Sequence, residues 1–145
     1  MGFFIDVITN RLFISCMLAL IAAQLGKAIV SSVKSKKLDL SMAGTTGGMP
    51  SSHTAVVIAL TAGAYYEQGI SALTVAIGTF ATIVIHDALT LRRAVGFQSE
   101  ALNKLIKKFR IVQQKKLKEL LGHNFLEVAI GAILGYVVAF AVYNL

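Results

Sequence analysis

The sequence holds a single cysteine and a single proline among 145 residues, and half as many acidic as basic side chains. With Cys16 alone, set in an apolar run, no disulfide framework can form. No proline- or serine-rich linker, internal repeat or low-complexity tract divides the chain, so residues 1–145 read as one domain. The shortage of acid leaves a net charge of +7, yet no nucleic-acid-binding module accompanies it, and nucleic acid is not an expected partner. Asp6 stands where N-myristoylation after Met1-Gly2 needs Ser or Thr.

Apolar residues are abundant. They make up 56% of the chain, against about 45–50% in soluble domains, and the mean hydropathy is +0.72. Runs at 12–33, 51–68, 70–91 and 124–144 approach the ~20 apolar residues needed to cross a bilayer. The second is the shortest. The first is too long for a signal-peptide core and reads as retained. The expected fold is an all-α integral membrane bundle of about four transmembrane helices. Residues 100–121 add Leu102, Leu105, Ile106, Phe109 and Val112 at helical spacing with lysines between them. That pattern suits a basic amphipathic helix at the membrane interface, and equally a plain basic surface helix.

Charge placement sets the expected topology. Lys34, Lys36 and Lys37 follow the first run, and Arg92, Arg93, Lys104, Lys107, Lys108, Arg110, Lys115, Lys116 and Lys118 lie between the third and fourth. The positive-inside bias therefore places these two loops in the cytoplasm and both termini outside, in the cell membrane. A basic cytoplasmic face also favours anionic membrane lipids as partners.

On that map the polar residues gather at one level. Gln24 and Lys27 share a face late in the first helix, and His53 opens the second. His86, Asp87, Arg92 and Arg93 end the third, while His123 and Glu127 open the fourth at i, i+4. The segment Gly47-Gly48-Met49-Pro50-Ser51-Ser52-His53 leads into the second helix. Glycines such as Gly48 let backbone N–H groups approach a ligand, serines donate, and a helix N-terminus favours an anion. Ionisable groups in membrane helices are costly and normally face a bundle interior or water-filled site. Lys27, Ser51, Ser52, Arg92, Arg93 and Gly48 are therefore candidate phosphate ligands.

Plainer readings stand beside these. Ser51 and Ser52 suit a helix N-cap, Lys34 suits snorkelling, and Arg92 and Arg93 suit topology anchors or complements to a helix C-terminus. Gly131 and Gly135 form a GxxxG pair in the last helix, which fits a homodimer seam or close packing within one chain.

At these residues the chain resembles the divergent branch of the type 2 phosphatidic acid phosphatase and vanadium haloperoxidase superfamily. The resemblance runs from about residue 24 to 135. It rests on Gln24-x-x-Lys27, the Gly47–His53 segment, Asp87 with Arg92-Arg93-x-x-Gly96, Leu102-Asn103, and Gly122-His123-x-x-x-Glu127-Val128-x-x-Gly131. Lys27 with Lys34 looks like the superfamily's first motif, with Lys in place of Arg. Pro50-Ser51-Ser52-His53 looks like Pro-Ser-Gly-His, and His123-x-x-x-Glu127 like the closing His-x-x-x-Asp. The Ser-Arg pair of the third motif is replaced by Lys116 and Leu117, leaving Arg92 or Arg93 as the alternative guanidinium. Four helices also stand where typical membrane members have six.

The resemblance implies a metal-independent lipid phosphate phosphatase working through a phosphohistidine, without a cofactor. His123 is the implied nucleophile, Glu127 its orienting partner and His53 the general acid and base. Gln24, Asp87 and Asn103 are supporting residues, and His86 has no role. The implied substrate is a lipid phosphomonoester or diphosphate at the cytoplasmic face. Two other readings remain: a non-catalytic phospholipid-binding or scaffold protein that keeps the phosphate pocket, and a metal site built from His53, His86, Asp87, His123 and Glu127.

Overall fold

The computed structural model describes residues 2–38, 47–110, 116–118 and 121–145. Val112, Lys115 and positions 39–46 of the glycine-rich loop, on which the sequence reading also drew, lie outside them. Every regular element among the described residues is an α-helix: α1 (Gly2–Thr9), α2 (Arg11–Ser35), α3 (Ser52–Gln68), α4 (Ala72–Leu89), α5 (Leu91–Lys108) and α6 (Phe125–Asn144).

Polar side chains start four of these helices. Asn10, Ser51, Ser71 and Asn124 are N-caps whose side chains accept from the N–H groups of Phe13, Thr54, Thr74 and Glu127. Each cap satisfies an otherwise orphaned donor and contributes about 1 kcal/mol. All four sequence-predicted apolar runs are helical, within a few residues of the expected ends.

Helix α3 lies at the centre, packed against α2, α4 and α6, while α2 also packs against α6. The interior is made of small residues: Ala19, Ala23, Ala55, Ala59 and Ala139 are fully buried. Large side chains point the other way. Ile21, Leu25 and Ile29 of α2, Phe80 and Ile83 of α4, and Ile133, Val137 and Phe140 of α6 are exposed. Water would invert this arrangement. Lipid favours it, because tails solvate leucine as well as protein does and helices associate through close packing of small residues. The protein is an all-helical integral membrane protein.

Helices α2 and α6 and the α4–α5 run are each long and apolar enough to cross a membrane. Helix α3, the fourth expected span, has 17 residues, about 25 Å at 1.5 Å per residue. The shortest of the four expected spans is thus the one around which the others pack. At its far end Tyr143 Oη donates to Glu67 Oε1 at 2.6 Å, and the Tyr143 ring stacks on Tyr66.

Gly131 and Gly135 serve the intramolecular packing. A Cβ at Gly131 would lie 2.5 Å from the Ser51 carbonyl oxygen, and one at Gly135 would collide with the Ala55 carbonyl. The pair brings α6 onto the backbone of α3, the alternative to a dimer seam.

The basic amphipathic helix differs from its expected position. Helix α5 begins at Leu91 rather than near residue 100, so Arg92 and Arg93 open it instead of ending the preceding helix. They do not complement a helix C-terminus: they sit in a first turn, where the macrodipole opposes positive charge. The break at Thr90 has a local cause. The Ala88 carbonyl, which a continuous helix would offer to Arg92, accepts the His123 N–H at 2.9 Å.

Candidate active site

The segment from Gly47 to Ser52 is held from both sides. Pro50 rests on Gly26 of α2, where a Cβ would approach its ring to 2.9 Å. On the other side the Ser51 N–H donates to the Glu127 carbonyl oxygen of α6 at 3.0 Å. Gly48 has φ +86, a backbone conformation that glycine adopts without strain. The Ser51 hydroxyl accepts from the Thr54 N–H and from Thr54 Oγ1, and Ser51 is fully buried.

Lys27 is 1% exposed, and its Nζ donates to Ser52 Oγ at 3.2 Å. A buried ammonium requires compensation. Facing it, His123 is also 1% exposed. Its Nδ1 lies 2.9 Å from Glu127 Oε2, while its Nε2 has no hydrogen-bond partner among the described residues. The His53 ring stands 6.0 Å from the His123 ring, centroid to centroid, and its buried Nδ1 also lacks a partner. Two orphaned imidazole nitrogens in one place need an explanation, because buried polar atoms are normally satisfied.

A cleft of about 380 Å³ opens over this group, lined by Lys27, Gly48, Arg93, His123 and Glu127 together with Ser31, Lys34, Met49, Gly122 and Asn124. A volume above about 300 Å³ suits a small ligand. Cations from α2 and α5 and a hydrogen-bonded imidazole thus share one concave surface.

The sequence-predicted residues divide accordingly. Lys27, Gly48, Arg93, His123 and Glu127 line the cleft. Ser52 supports Lys27, and His53 faces His123. Ser51 acts as the α3 cap and does not line the cleft, so its plainer reading is the one its contacts show. Arg92 also stays off the lining: its Nε donates to Asp87 Oδ2 at 2.7 Å across the α4–α5 break. Arg93 lies over the Phe97 ring. Gln24 is half-buried one turn before Lys27. Asn103 works through the chain itself, donating to the Leu117 carbonyl and accepting from the Leu117 N–H, and so fastens the segment after α5.

His86 departs from the expected convergence. It sits at the same level but is exposed, beside Thr90 Oγ1 at 3.4 Å. Among the described residues no three His, Cys, Asp or Glu side chains are placed to share a metal ion.

Two contributors, Gly26 and Ala88, were missed by sequence reasoning, and Gly122 was noted only as part of the Gly-His motif. Gly122 has φ +79, and a Cβ there would collide with the backbone of Arg93. The glycine of the Gly-His pair was the available signal. Ala88 acts through its carbonyl alone, and no side-chain pattern marks it.

An all-helical membrane protein with a buried His–Glu pair under a cationic cleft is the class that fold and site define. The chain belongs to the divergent PAP2 family, whose model matches residues 8–138. It is similar to the uncharacterized membrane protein YuiD of Bacillus subtilis (strain 168), at 40% identity over 90% of this chain and 92% of that protein. No solved structure matches the chain.

Proposed function

We propose that the protein is a metal-independent lipid phosphate phosphatase that passes through a phosphohistidine intermediate. The observation that carries this reading is the state of His123: Nδ1 is held by Glu127 at 2.9 Å, and Nε2 is buried without a partner. With the Nδ1 proton donated to the carboxylate, the Nε2 lone pair is available as a nucleophile.

In the first step Nε2 attacks phosphorus and the bond to the ester oxygen breaks. His53, across from His123, delivers the proton that the leaving oxygen needs. In the second step His53 takes a proton from water, the resulting hydroxide attacks phosphorus, and the P–N bond breaks to release inorganic phosphate. Lys27 and Arg93, with backbone N–H groups near Gly48, hold the equatorial oxygens as charge develops. Asp87 holds Arg92 across the α4–α5 break, off the cleft lining.

The substrate headgroup enters from the cytoplasmic face while its tail remains in lipid. This sidedness follows from the lysines after α2 and the basic residues around α5. In a Cys16→Ala background, a cysteine replacing Lys37 should react with a reagent added on the cytoplasmic side, and one replacing Gln68 with a reagent added outside. The opposite pattern would reverse the assigned topology.

A second reading, a phospholipid-binding protein without turnover, is favoured by one observation. The Asp87–Arg92 ion pair leaves Arg93 as the guanidinium that lines the cleft among the described residues. Phosphate release from a panel of lipid phosphates, wild type against His123→Ala, separates the two. Release that depends on His123 supports the phosphatase. Tight vanadate binding with no release from any substrate supports the binding protein.

A further inference from the structure

Helix α5 is amphipathic, and among the described residues its apolar stripe is exposed. Leu91, Val95, Leu102, Leu105 and Phe109 recur at i, i+4, i+11, i+14 and i+18, on one face. All five are exposed, Phe109 at 65%. Among the described helices α5 packs only against α4. Lys104, Lys107, Lys108 and Arg110 crowd its C-terminal end, with Glu100 paired to Lys104 as the acid of the helix. Helix α5 also starts two residues after α4 ends within the apolar α4–α5 run, so a bilayer crossed by α4 would have its boundary near the first turn of α5. An apolar stripe at that height, flanked by lysines, fits an anionic lipid surface.

The same helix is fastened to His123. The His123 N–H occupies the Ala88 carbonyl at the α4–α5 break. Gly122 packs on the backbone of Arg92 and Arg93, so closely that a Cβ does not fit. Asp87 ties Arg92 back to α4 across that break. A change in the direction of α5 therefore moves Arg93 and strains the backbone that carries His123.

We propose that α5 is a lipid-sensing lever: docking of its apolar stripe on an anionic bilayer surface sets the position of Arg93 and His123 and so controls the phosphate site. The regulatory part rests on the phosphatase reading, whereas the docking and its mechanical coupling do not. Undocked, α5 is oriented among the described residues by α4, by Gly122 at its first turn and by the Asn103–Leu117 clasp, and the cleft loses the fixed geometry of its cations.

The chain contains no tryptophan, so Phe109→Trp supplies a single reporter. The full-length variant is reconstituted in phosphatidylcholine vesicles, with and without phosphatidylglycerol. Trp emission is quenched by spin-labelled lipid or by aqueous iodide, amide exchange is followed at Gly122 and His123, and vanadate is titrated. Phosphatidylglycerol should move the reporter from iodide to lipid quenching, slow exchange at His123 and tighten vanadate binding. Lys107→Gln and Lys108→Gln should each shift the docking equilibrium by about fivefold toward the undocked form. Helicity read by circular dichroism checks that both variants fold.

Equal quenching in the two vesicle types overturns the docking. Docking without any change in exchange at His123 overturns the coupling. If exchange responds but vanadate binds under neither condition, the lever stands and the phosphate-site reading fails.

Discussion

Glu127 Oε2 stands 2.9 Å from His123 Nδ1 and 3.3 Å from the Asn124 N–H, so one carboxylate oxygen both closes the capping box of α6 and orients the imidazole. The helix start and the chemistry share an atom. Glu127→Gln tests that sharing, because whichever group takes the Oε2 position faces both partners. An amide oxygen there keeps both contacts without the negative charge, and an NH₂ there opposes the Asn124 N–H and forces the ring proton onto Nε2. Phosphate release should fall by about 10²–10⁴-fold with helicity intact. Release at the wild-type rate would remove Glu127 from the mechanism.

Lys27→Met keeps the length of the side chain and removes its charge. The Ser52 hydroxyl loses a donor but can reorient. The fold should persist while vanadate affinity drops by about 10²–10³-fold, the scale of a lost oxyanion contact. Titration of vanadate against the variant, with a melting curve beside it, distinguishes a binding residue from a structural one.

One glycine of α6 and one of α4 predict a contrast in stability. Gly131→Ala drives a methyl into the Ser51 carbonyl and should cost about 1–3 kcal/mol. Gly78→Ala places its methyl 3.7 Å from Thr61 Cγ2, ordinary contact, and should stabilise α4 by up to about 1 kcal/mol. Melting temperatures in detergent should therefore move in opposite directions. No loss of stability in Gly131→Ala would show that α3 and α6 do not meet as described.

His86 supplies a control within the same membrane level. It is exposed and contacts Thr90, so His86→Ala should change stability by no more than about 0.5 kcal/mol and leave phosphate release unaltered. A large loss of release would return His86 to the site.

Much of this arrangement was legible in the sequence, for physical reasons that vary by residue. The apolar runs had to be helices because lipid offers the backbone no hydrogen-bond partner. Lys27, His123 and Glu127 were conspicuous because charge at membrane depth is expensive. Spacing alone misplaced Arg92 and Arg93, since nothing in the side-chain pattern announces that a carbonyl at Ala88 will take its hydrogen from His123. Gly26 was hidden for a related reason. Its contribution is room for the Pro50 ring, and room has no chemical signature. His86 shared its height with the other histidines but faced outward, a matter of rotation about the helix that a count of residues along it does not reveal.

The alanine interior reverses the usual map of mutational tolerance. In a water-soluble enzyme the outside accepts almost any residue and the inside accepts most apolar ones of similar bulk. Here Ala19, Ala23, Ala55, Ala59 and Ala139 leave no side chain long enough to rearrange around a newcomer. Leu25, Ile29 or Ile133 can exchange freely for other greasy residues in the fluid that surrounds them. Selection for a sturdier variant should therefore find its permissive positions on the lipid-facing surface, and directed libraries aimed at the centre of the bundle should return mostly misfolded protein.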